Sequence, residues 1–579
     1  MVTDPEDTLA QLVRDALAAE LGEQYATADP IIRPSQFADY QSNAALPLAK
    51  ALGRPPREIA TAVAARLADP AQAGPIAKVE VSGPGFINIT LRDEWIGGQA
   101  AGQLADSRLG VPLAEPAQRV VVDYSGPNVA KELHAGHLRP TVVGDAIVRV
   151  LEYLGHTVIR AAHLGDWGTQ FGLLIEHALD IGELATAKEL EAGEITAFYQ
   201  AARAKFDAEP SFANRARQRV VELQAGDEQA MRLWRMLVDD SMVYLRDVYA
   251  RLDITLTDAD MDPESFYNPV LASVSGELED KGIAVISDGA LCAFPPGFSG
   301  RDGRPVPLML RKSDGGYGYA STDAAAIRYR LVDLKADRII YVVGSEQHQH
   351  FELVFAVARQ AGWLTDQASA EHAVIGLMTG PGGRRLQTRS GEQVKLATLI
   401  DESVDRAGEV IRDRYADPVL RQQIAESVGV GALKYGDLSV ARDSSYVLDF
   451  DRLLALTGNT GPYLQYATAR IRSIFHKAGR DPAAVTGPVA VAEPAERALA
   501  LSLLGLGRAL ADVSAAAEPH KLAGYLFDVA SAFTTFYEQC PVLTAEPAIR
   551  DSRLALAALT LRVLTTGLGL LGIPVPERM

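Results

Sequence analysis

The sequence predicts an α/β protein built around a parallel sheet, with a small α+β domain before it and an all-α domain after it. Alternating β-type runs around a Pro/Gly turn stand in the first hundred or so residues, and a strand–loop–helix–strand unit begins at Arg119. After about Asp437 only helical periodicity remains. The 579 residues correspond to about three to four domains.

Composition narrows the class of protein. Hydrophobic residues make up 48% of the chain and charged residues 22%, which excludes wholesale disorder and fibrous structure. The two cysteines, Cys292 and Cys540, are too few for a disulfide framework or a four-thiolate zinc site, so we expect a reducing compartment. The formal net charge of −18 gives no support for nucleic-acid binding, which would need local basic patches.

No membrane or secretory segment is predicted. The N-terminus lacks the charged-then-apolar pattern of a signal peptide. The most apolar run, residues 554–575, contains Arg562 and fits a buried helix better than a membrane span. We therefore expect a cytoplasmic protein.

Each domain has its own pattern. In residues 1–112, leucine spacing predicts a helix over 5–21, and runs at 78–81 and 86–91 predict a hairpin. Residues 113–440 should hold the parallel sheet, with a helical insertion at about 175–255. Its predicted elements are strands at 119–122, 157–160, 283–286, 307–310 and 338–343 and a helix at 138–154. Residues 441–579 predict an all-α domain with helices at 467–478, 495–517, 521–537 and 552–571.

The most informative segment is residues 125–139, SGPNVAKELHAGHLR, between a strand and a helix. Open α/β sheets bind ligands there, and helix N-termini suit phosphate. His134 and His137 should face one side of the helix entry, and Gly136 allows close approach of a ligand. By itself this motif also fits two solvated histidines in a capping loop. The standard phosphate-binding glycine motifs are absent.

The segment resembles the first signature of class I aminoacyl-tRNA synthetases, in the variant carried by arginyl-tRNA synthetases. Further segments resemble the same family in order: residues 82–88, 144–145, 163–172, 264–267, 319–330, 343–347, 458–466 and 576–579. The resemblance implies a class Ia, Rossmann-type catalytic domain, an N-terminal domain that contacts the tRNA elbow and a C-terminal anticodon-binding bundle. It also implies that L-arginine and ATP, accompanied by Mg²⁺, form arginyl-adenylate and pyrophosphate. Arginine then passes to the terminal adenosine of tRNA-Arg, and we expect a monomer.

By this resemblance, the guanidinium of arginine is read by Glu264, Tyr319 and Asp323. Tyr319 and Asp323 are four residues apart, which places both on one helix face, and a guanidinium fork requires carboxylates. Without the resemblance, Asp323 would be interpreted as a helix cap or first-turn acid and Glu264 as a solvated carboxylate. The remaining arginine-binding residues implied by the family are Ser125, Asn128, His134 and Gln347.

The family also implies the ATP site, which comprises His134, Gly136, His137, Gly344, His350, Gln387 and Arg389. In the second class signature, Gln387 stands where other members carry a lysine. Lys131, just before the first signature, is expected to compensate, so the catalytic set is Lys131, His134, Gly136 and His137. The alternative for the loop is a solvated basic hairpin. On a strand, His348, His350 and Glu352 would share a face and suggest a metal site, but we assign no metal ligand.

For tRNA, the resemblance and the mixture of aromatic and basic residues indicate Asn459, Tyr463, Gln465, Tyr466, Arg470 and Met579. The alternative for the two tyrosines is a place in the core of the helical domain. Two other functions remain open: a catalytically inactive paralogue that binds tRNA, and a class I synthetase for another amino acid. A nucleotidyltransferase with a Rossmann core would not explain the C-terminal helices.

Overall fold

A computed structural model describes residues 3–69, 74–129, 131–191, 195–300, 302–384, 386, 393–412 and 414–579. In the N-terminal domain, helices pack on an antiparallel sheet of order β1-β2-β4-β3. The elements are α1 Pro5–Leu21, β1 Ile32–Pro34, β2 Tyr40–Ser42, α2 Ala45–Leu52, α3 Pro56–Leu67, β3 Ile76–Ser82, β4 Phe86–Leu91 and α4 Asp93–Ala105. The predicted helix and hairpin are confirmed, while β1 and β2, three residues each, were too short to show alternation.

The domain that holds the parallel sheet follows α4. Its strands are β5 Arg119–Asp123, β6 Thr157–Ala161, β7 Ala284–Ser287, β8 Ala290–Ala293, β9 Leu308–Arg311, β10 Arg338–Tyr341, β11 Ser369–His372 and β12 Met378–Thr379. Its helices are α5 Leu138–Tyr153, α6 Thr169–Ile181, α7 Glu183–Glu191, α8 Ile195–Ala208, α9 Pro210–Gln224, α10 Glu228–Arg251, α11 Asn268–Asp280, α12 Tyr319–Arg328, α13 His348–Gln360 and α14 Leu396–Ile411. The insertion predicted at about 175–255 is helical, as expected.

Four strands form the predicted parallel sheet, in the order β11-β10-β5-β6. Val120, Val121 and Val122 are fully buried, as is typical of a strand covered on both faces. Strand order reverses between β5 and β10, and this reversal opens a crevice at the carboxyl edge of the sheet.

Two predicted strands belong elsewhere. The runs at 283–286 and 307–310 become β7 and β9, which pair with β8 in a separate antiparallel sheet. The expectation that they extend the parallel sheet was therefore wrong. Short apolar runs specify a strand but not the sheet that it joins, because pairing depends on the path of the chain between them.

The preceding domain ends with the helix α15 Pro418–Leu438. Helices dominate residues 441–579, as predicted, although the short strand β13 Tyr446–Val447 pairs with β12. The helices are α16 Phe450–Leu453, α17 Gly461–Ala478, α18 Pro494–Leu504, α19 Leu506–Ala516, α20 His520–Gln539 and α21 Pro547–Leu570. The predicted helix 495–517 breaks at Gly505. Two stretches, Pro494–Ala516 and Pro547–Leu570, are long and apolar enough to span a membrane, but the most apolar window of the second is 78% buried inside the domain, as a core helix would be.

Buried polar contacts join the domains. Nε of Arg139, in the first turn of α5, lies 2.8 Å from Oδ1 of Asp437 on α15, and both side chains are almost fully buried. Nη2 of Arg497 on α18 donates to Oδ2 of Asp39 in the N-terminal domain at 2.7 Å. The signature helix is thus fixed directly to α15, the last helix before residues 441–579.

Candidate active site

A cavity of about 1050 Å³ lies at the carboxyl edge of the parallel sheet, between the segments that follow β5 and β10. Helices α12 and α13 and the segment after β12 complete its walls. The predicted site residues that line it are Asn128, His134, Gly136, His137, Glu264, Tyr319, Asp323, Gly344, Gln347 and His350. Residues that are far apart in sequence therefore meet in one cavity, where open α/β sheets generally bind ligands.

The two signature histidines share one tautomer. The backbone N–H of His134 donates to Nδ1 of His137, and that of Gly136 donates to Nδ1 of His134, both at 3.1 Å. Because each Nδ1 accepts a hydrogen bond, each ring carries its proton on Nε2. Burial lowers the pKa of both imidazoles, that of His137 to about 4, and Lys131 adds to the effect on His134. Both rings therefore carry an uncharged Nε2–H donor.

The glycine of this turn is required by a close approach. A Cβ at Gly136 would lie 2.9 Å from Cε1 of His134, closer than side chains approach each other. The ring of His134 therefore folds over its own turn only because residue 136 has no side chain.

The opposite end of the cavity is acidic. Helix α12 begins at Tyr319 and places Asp323 one turn further along, as the spacing predicted. Asp323 lies beyond the first turn, so the interpretation of it as a cap or first-turn acid is wrong. Glu264 starts a short 3-10 turn at the cavity wall, where burial raises its pKa to about 7. It is thus not the solvated loop carboxylate of the alternative interpretation.

His350 contacts this acidic end. Its Nε2 lies 2.6 Å from Oδ2 of Asp323. The segment from His348 is the helix α13, not a strand, so His348, His350 and Glu352 do not share a face and the metal interpretation has no geometric basis. In the part of the chain that the structure describes, no group of three or more His, Cys, Asp or Glu side chains is arranged to hold a metal ion.

A buried ion-pair network forms the floor of the cavity. A single π-helical turn, Tyr329–Asp333, continues α12 and brings Arg330 inward. Its Nη1 donates to Oδ2 of Asp123 at 2.7 Å, and its Nη2 donates to Oδ2 of Asp262 at 2.6 Å. Although burial acts in the other direction, Arg330 holds the pKa of Asp262 well below its ordinary value. The network ties the end of β5 to the loop that precedes Glu264.

One cavity residue to which the sequence analysis gave no role is His163. It belongs to a segment that resembles the family, and it follows β6 directly. It lines the cavity together with Gly165. Its position at the carboxyl end of a strand beside β5 was the available signal, because side chains at that edge converge on the crevice.

Ser125 and Lys131 do not line the cavity. Ser125 is buried, its Oγ lies 2.9 Å from the hydroxyl of Tyr249, and it accepts a hydrogen bond from Thr141 at 2.7 Å. It therefore supports the signature turn from behind. The Nζ of Lys131 lies 4.5 Å from the ring centre of Tyr199 on α8. A cation–π contact with the helical insertion thus holds this lysine.

Of the second signature, Gln387 and Arg389 lie outside the described residues. On either side of them, Leu386, Gln393 and Val394 line the cavity. The backbone N–H of Ala135 donates to the carbonyl of Val394 at 2.8 Å, so the returning segment pairs with the first signature. Nζ of Lys395 lies 2.6 Å from Oε2 of Glu132, which places its charge beside that signature.

A second cavity, of about 620 Å³, lies in the helical domain. Tyr466, Arg470 and Met579 line it, together with Tyr537. The guanidinium of Arg470 lies 4.9 Å from the ring centre of Tyr466 and 5.4 Å from that of Tyr537. This combination of aromatic faces, a guanidinium and an open cavity suits an unstacked base.

The other three predicted tRNA residues lie outside this cavity. Gln465 is fully buried and donates to the carbonyls of Ser427 and Pro574, so the prediction of a base contact was wrong for this residue. The hydroxyl of Tyr463 lies 3.1 Å from Thr534 Oγ1, which supports its alternative role in the core. Oδ1 of Asn459 accepts a hydrogen bond from Tyr435 at 2.6 Å.

Three family profiles match the chain in order. The arginyl tRNA synthetase N terminal domain matches residues 7–91, the catalytic domain of class I tRNA synthetases (R) matches 101–450, and the DALR anticodon binding domain matches 464–579. The arginine–tRNA ligase of Thermobifida fusca is 57% identical, with 100% of both chains covered. That of Frankia casuarinae is 51% identical over 96% of this chain and 95% of its own.

Solved structures of arginyl-tRNA synthetases are also similar to this chain. The arginyl-tRNA synthetase of Plasmodium falciparum is similar with a TM-score of 0.85 and 28% identity, covering 100% of both chains. That of Thermus thermophilus has a TM-score of 0.82 and 26% identity, over 99% of this chain and 100% of its own. These similarities extend across all three domains and give no support to another amino acid or to an inactive paralogue. The chain belongs to the class I arginyl-tRNA synthetase family.

Proposed function

We propose that the larger cavity carries out arginine activation, with Glu264, Tyr319 and Asp323 at the guanidinium and His134 and His137 at the ATP phosphates. Membership of the family makes the protein an ATP-dependent ligase that charges tRNA with arginine. The observation that carries the residue assignment is the polarity of the cavity, which is acidic at one end and carries neutral N–H donors at the other.

The chemistry follows from this polarity. The α-carboxylate of arginine attacks the α-phosphorus of ATP, the bond to the departing pyrophosphate breaks, and arginyl-adenylate forms. Negative charge grows on phosphate oxygens in this step, so donors fixed in advance lower the barrier. Neutral imidazoles suit the role because they donate from Nε2 without exchanging a proton. Asn128 and Gln347, which both line the cavity, are proposed to orient the α-ammonium and α-carboxylate groups.

In the second step, a hydroxyl of the terminal adenosine of tRNA-Arg attacks the activated carbonyl, and AMP leaves. We propose that the cavity of Tyr466, Arg470 and Met579 receives a base of the anticodon loop, and that the N-terminal domain contacts the tRNA elbow. The cation–π contacts of Arg470 with the rings of Tyr466 and Tyr537, beside an open cavity, support the first of these assignments.

We propose that Mg²⁺ enters as a companion of ATP. Mg²⁺ is usually held through substrate phosphates and retained waters, and there it neutralises phosphate charge. We further propose a cytoplasmic monomer. Both cysteines are free and buried, which supports a reducing compartment.

The test is single-turnover formation of arginyl-adenylate by variants of the signature histidines. His134→Ala and His137→Ala should each slow this step by about two to three powers of ten, the scale of losing one transition-state donor. The matched control is His476→Ala, which removes an exposed histidine from the end of α17. Near-normal rates in either signature variant would remove that histidine from the reaction.

A further inference from the structure

His163 is a buried imidazole among carboxylates. Its Nδ1 lies 3.8 Å from Oδ2 of Asp262, and its Nε2 lies 3.7 Å from Oδ1 of Asp323. Both nitrogens are buried, and neither makes a hydrogen bond within the described part of the chain. Because these separations exceed hydrogen-bond length, the attraction is one between charges.

The groups that face His163 are mostly acidic. They are Asp123 at the end of β5, Asp166 in the loop after β6, Asp262 and Glu264 in the segment between α10 and α11, and Asp323 on α12, and the ring of Tyr267 stands beside His163. Arg330 is shared by Asp123 and Asp262. Asp323 also contacts Nε2 of His350 at 2.6 Å, and His163 is the cation that acts on Glu264.

These surroundings fix the charge of the ring. Burial alone would lower the pKa of His163, but Asp262, Asp323 and Asp123 raise it to about 9, so the ring is an imidazolium at neutral pH. For Glu264 the two effects have opposite signs. Burial raises the pKa of Glu264 to about 7, while the charge of His163 acts to lower it. The ionisation of Glu264 near neutral pH thus depends on the charge of His163.

We propose that His163 is a positioning residue of the arginine pocket, an internal cation at neutral pH that keeps Glu264 ionised and Asp323 in place, and that it thereby selects arginine over its neutral isostere citrulline. The inference rests on the proposed guanidinium contacts of Glu264 and Asp323. An ionised carboxylate pairs with guanidinium but repels the urea oxygen of citrulline. A protonated Glu264 would do the opposite, because its O–H can donate to that oxygen. Loss of the internal cation should therefore weaken discrimination.

The test is calorimetric binding of arginine and of citrulline between about pH 6 and pH 9.5. In the unaltered enzyme, arginine affinity should rise as pH passes about 7, because Glu264 then loses its proton. In His163→Gln the midpoint should move upward by at least about one pH unit, since Glu264 no longer faces a cation. Arginine binding should then be at least about threefold weaker near pH 7.5, recover near pH 9.5, and discriminate less against citrulline at the lower pH.

The outcomes separate the inference from a fold defect. His476→Gln, the exposed control, should leave the midpoint in place. A midpoint that does not move in His163→Gln, or a loss of arginine affinity that is equal at every pH, overturns the inference. If Glu264→Gln binds arginine normally, the proposed role of Glu264 fails as well. If Glu264→Gln is impaired while the midpoint of His163→Gln is unmoved, only the inference about His163 fails.

A measurement on the unaltered protein tests the charge of His163 even if His163→Gln does not fold. The chain has ten histidines. In nitrogen-15 spectra of histidine-labelled enzyme, one of them should keep both ring nitrogens protonated at about pH 8, because its pKa is about 9. If all of them are neutral at that pH, His163 is not an internal cation.

Discussion

His350 fixes Asp323 before any substrate enters. The Nε2 of His350, on α13, lies 2.6 Å from Oδ2 of Asp323, on α12. The ring of Tyr319, one turn before Asp323, stands edge-on to His350 with the ring centres 5.0 Å apart. The carboxylate proposed to read the guanidinium is thus oriented by a neighbouring helix, and a preorganised partner spends less free energy on ordering when the ligand binds.

Asp323→Asn should therefore raise the arginine KM by about a hundredfold or more while the ATP KM stays near normal. A guanidinium that loses a carboxylate partner in a closed pocket loses on the order of 3 kcal/mol or more. Both constants are measured by ATP–pyrophosphate exchange. Asp333→Asn, at the exposed end of the same helical segment, is the control and should change neither. If arginine and ATP are weakened equally, a folding defect explains the result.

Lys131 gives the second prediction. Gln387 leaves the second signature one cation short, and Lys131, three residues before His134, is near enough to affect the pKa of His134. For the proposed role, Lys131 must leave Tyr199 and turn toward the phosphates when ATP binds. Lys131→Ala should slow pyrophosphate exchange by at least about tenfold, and adding Gln387→Lys should restore part of the rate.

The control is Lys281→Ala, which removes a surface lysine paired with Glu277 and should leave exchange unchanged. If the double variant is no faster than Lys131→Ala alone, the two positions do not share a role, and the compensation idea fails while the enzyme assignment stands.

The third prediction separates the two tyrosines of α17. Tyr466→Leu should weaken tRNA binding by about ten- to a hundredfold, the scale of one lost stacking contact, with arginine and ATP unaffected. Tyr463→Phe should leave tRNA binding unchanged, because its hydroxyl contacts Thr534 inside the bundle. Filter binding or fluorescence titration with tRNA-Arg measures both. Equal effects of the two changes would show that the second cavity does not receive a base.

The fourth prediction concerns the buried ion pair between α5 and α15. Asp437→Ala should lower the free energy of unfolding by about 3–5 kcal/mol, because it leaves the buried guanidinium of Arg139 without its charge partner. Glu402→Ala removes an exposed partner of Arg406 and should cost less than about 1 kcal/mol. Urea denaturation compares the two. Losses of similar size would mean that the Arg139–Asp437 pair does not fasten α5 to α15.

Local patterns were the most predictable from the sequence. The β-branched run of β5, the periodicity of α5 and the four-residue spacing of Tyr319 and Asp323 each reflect geometry that a few adjacent residues determine. The family resemblance then brought distant segments together, and ten of the predicted residues do line one cavity. These ten residues were predicted from the motifs and their order along the chain, without knowledge of how the chain folds between them.

What the sequence did not reveal depends on contacts between distant segments. The direction of Ser125 is set by Tyr249 and Thr141, and that of Gln465 by Ser427 and Pro574. The run from His348 to Glu352 alternates like a strand, yet packing makes it a helix. Tertiary context overrides a local pattern of this length, because five residues satisfy either period about equally well.

The central claim is that this cavity activates arginine in particular, and ATP–pyrophosphate exchange tests it most directly. Exchange is measured with each of the standard amino acids in turn, with and without tRNA. We predict that arginine is the only amino acid that supports exchange. His134→Ala should lose this exchange, and Asp323→Asn should lose it at low arginine concentration. Exchange of similar rate with a different amino acid, or none with arginine even when tRNA is present, would contradict the account.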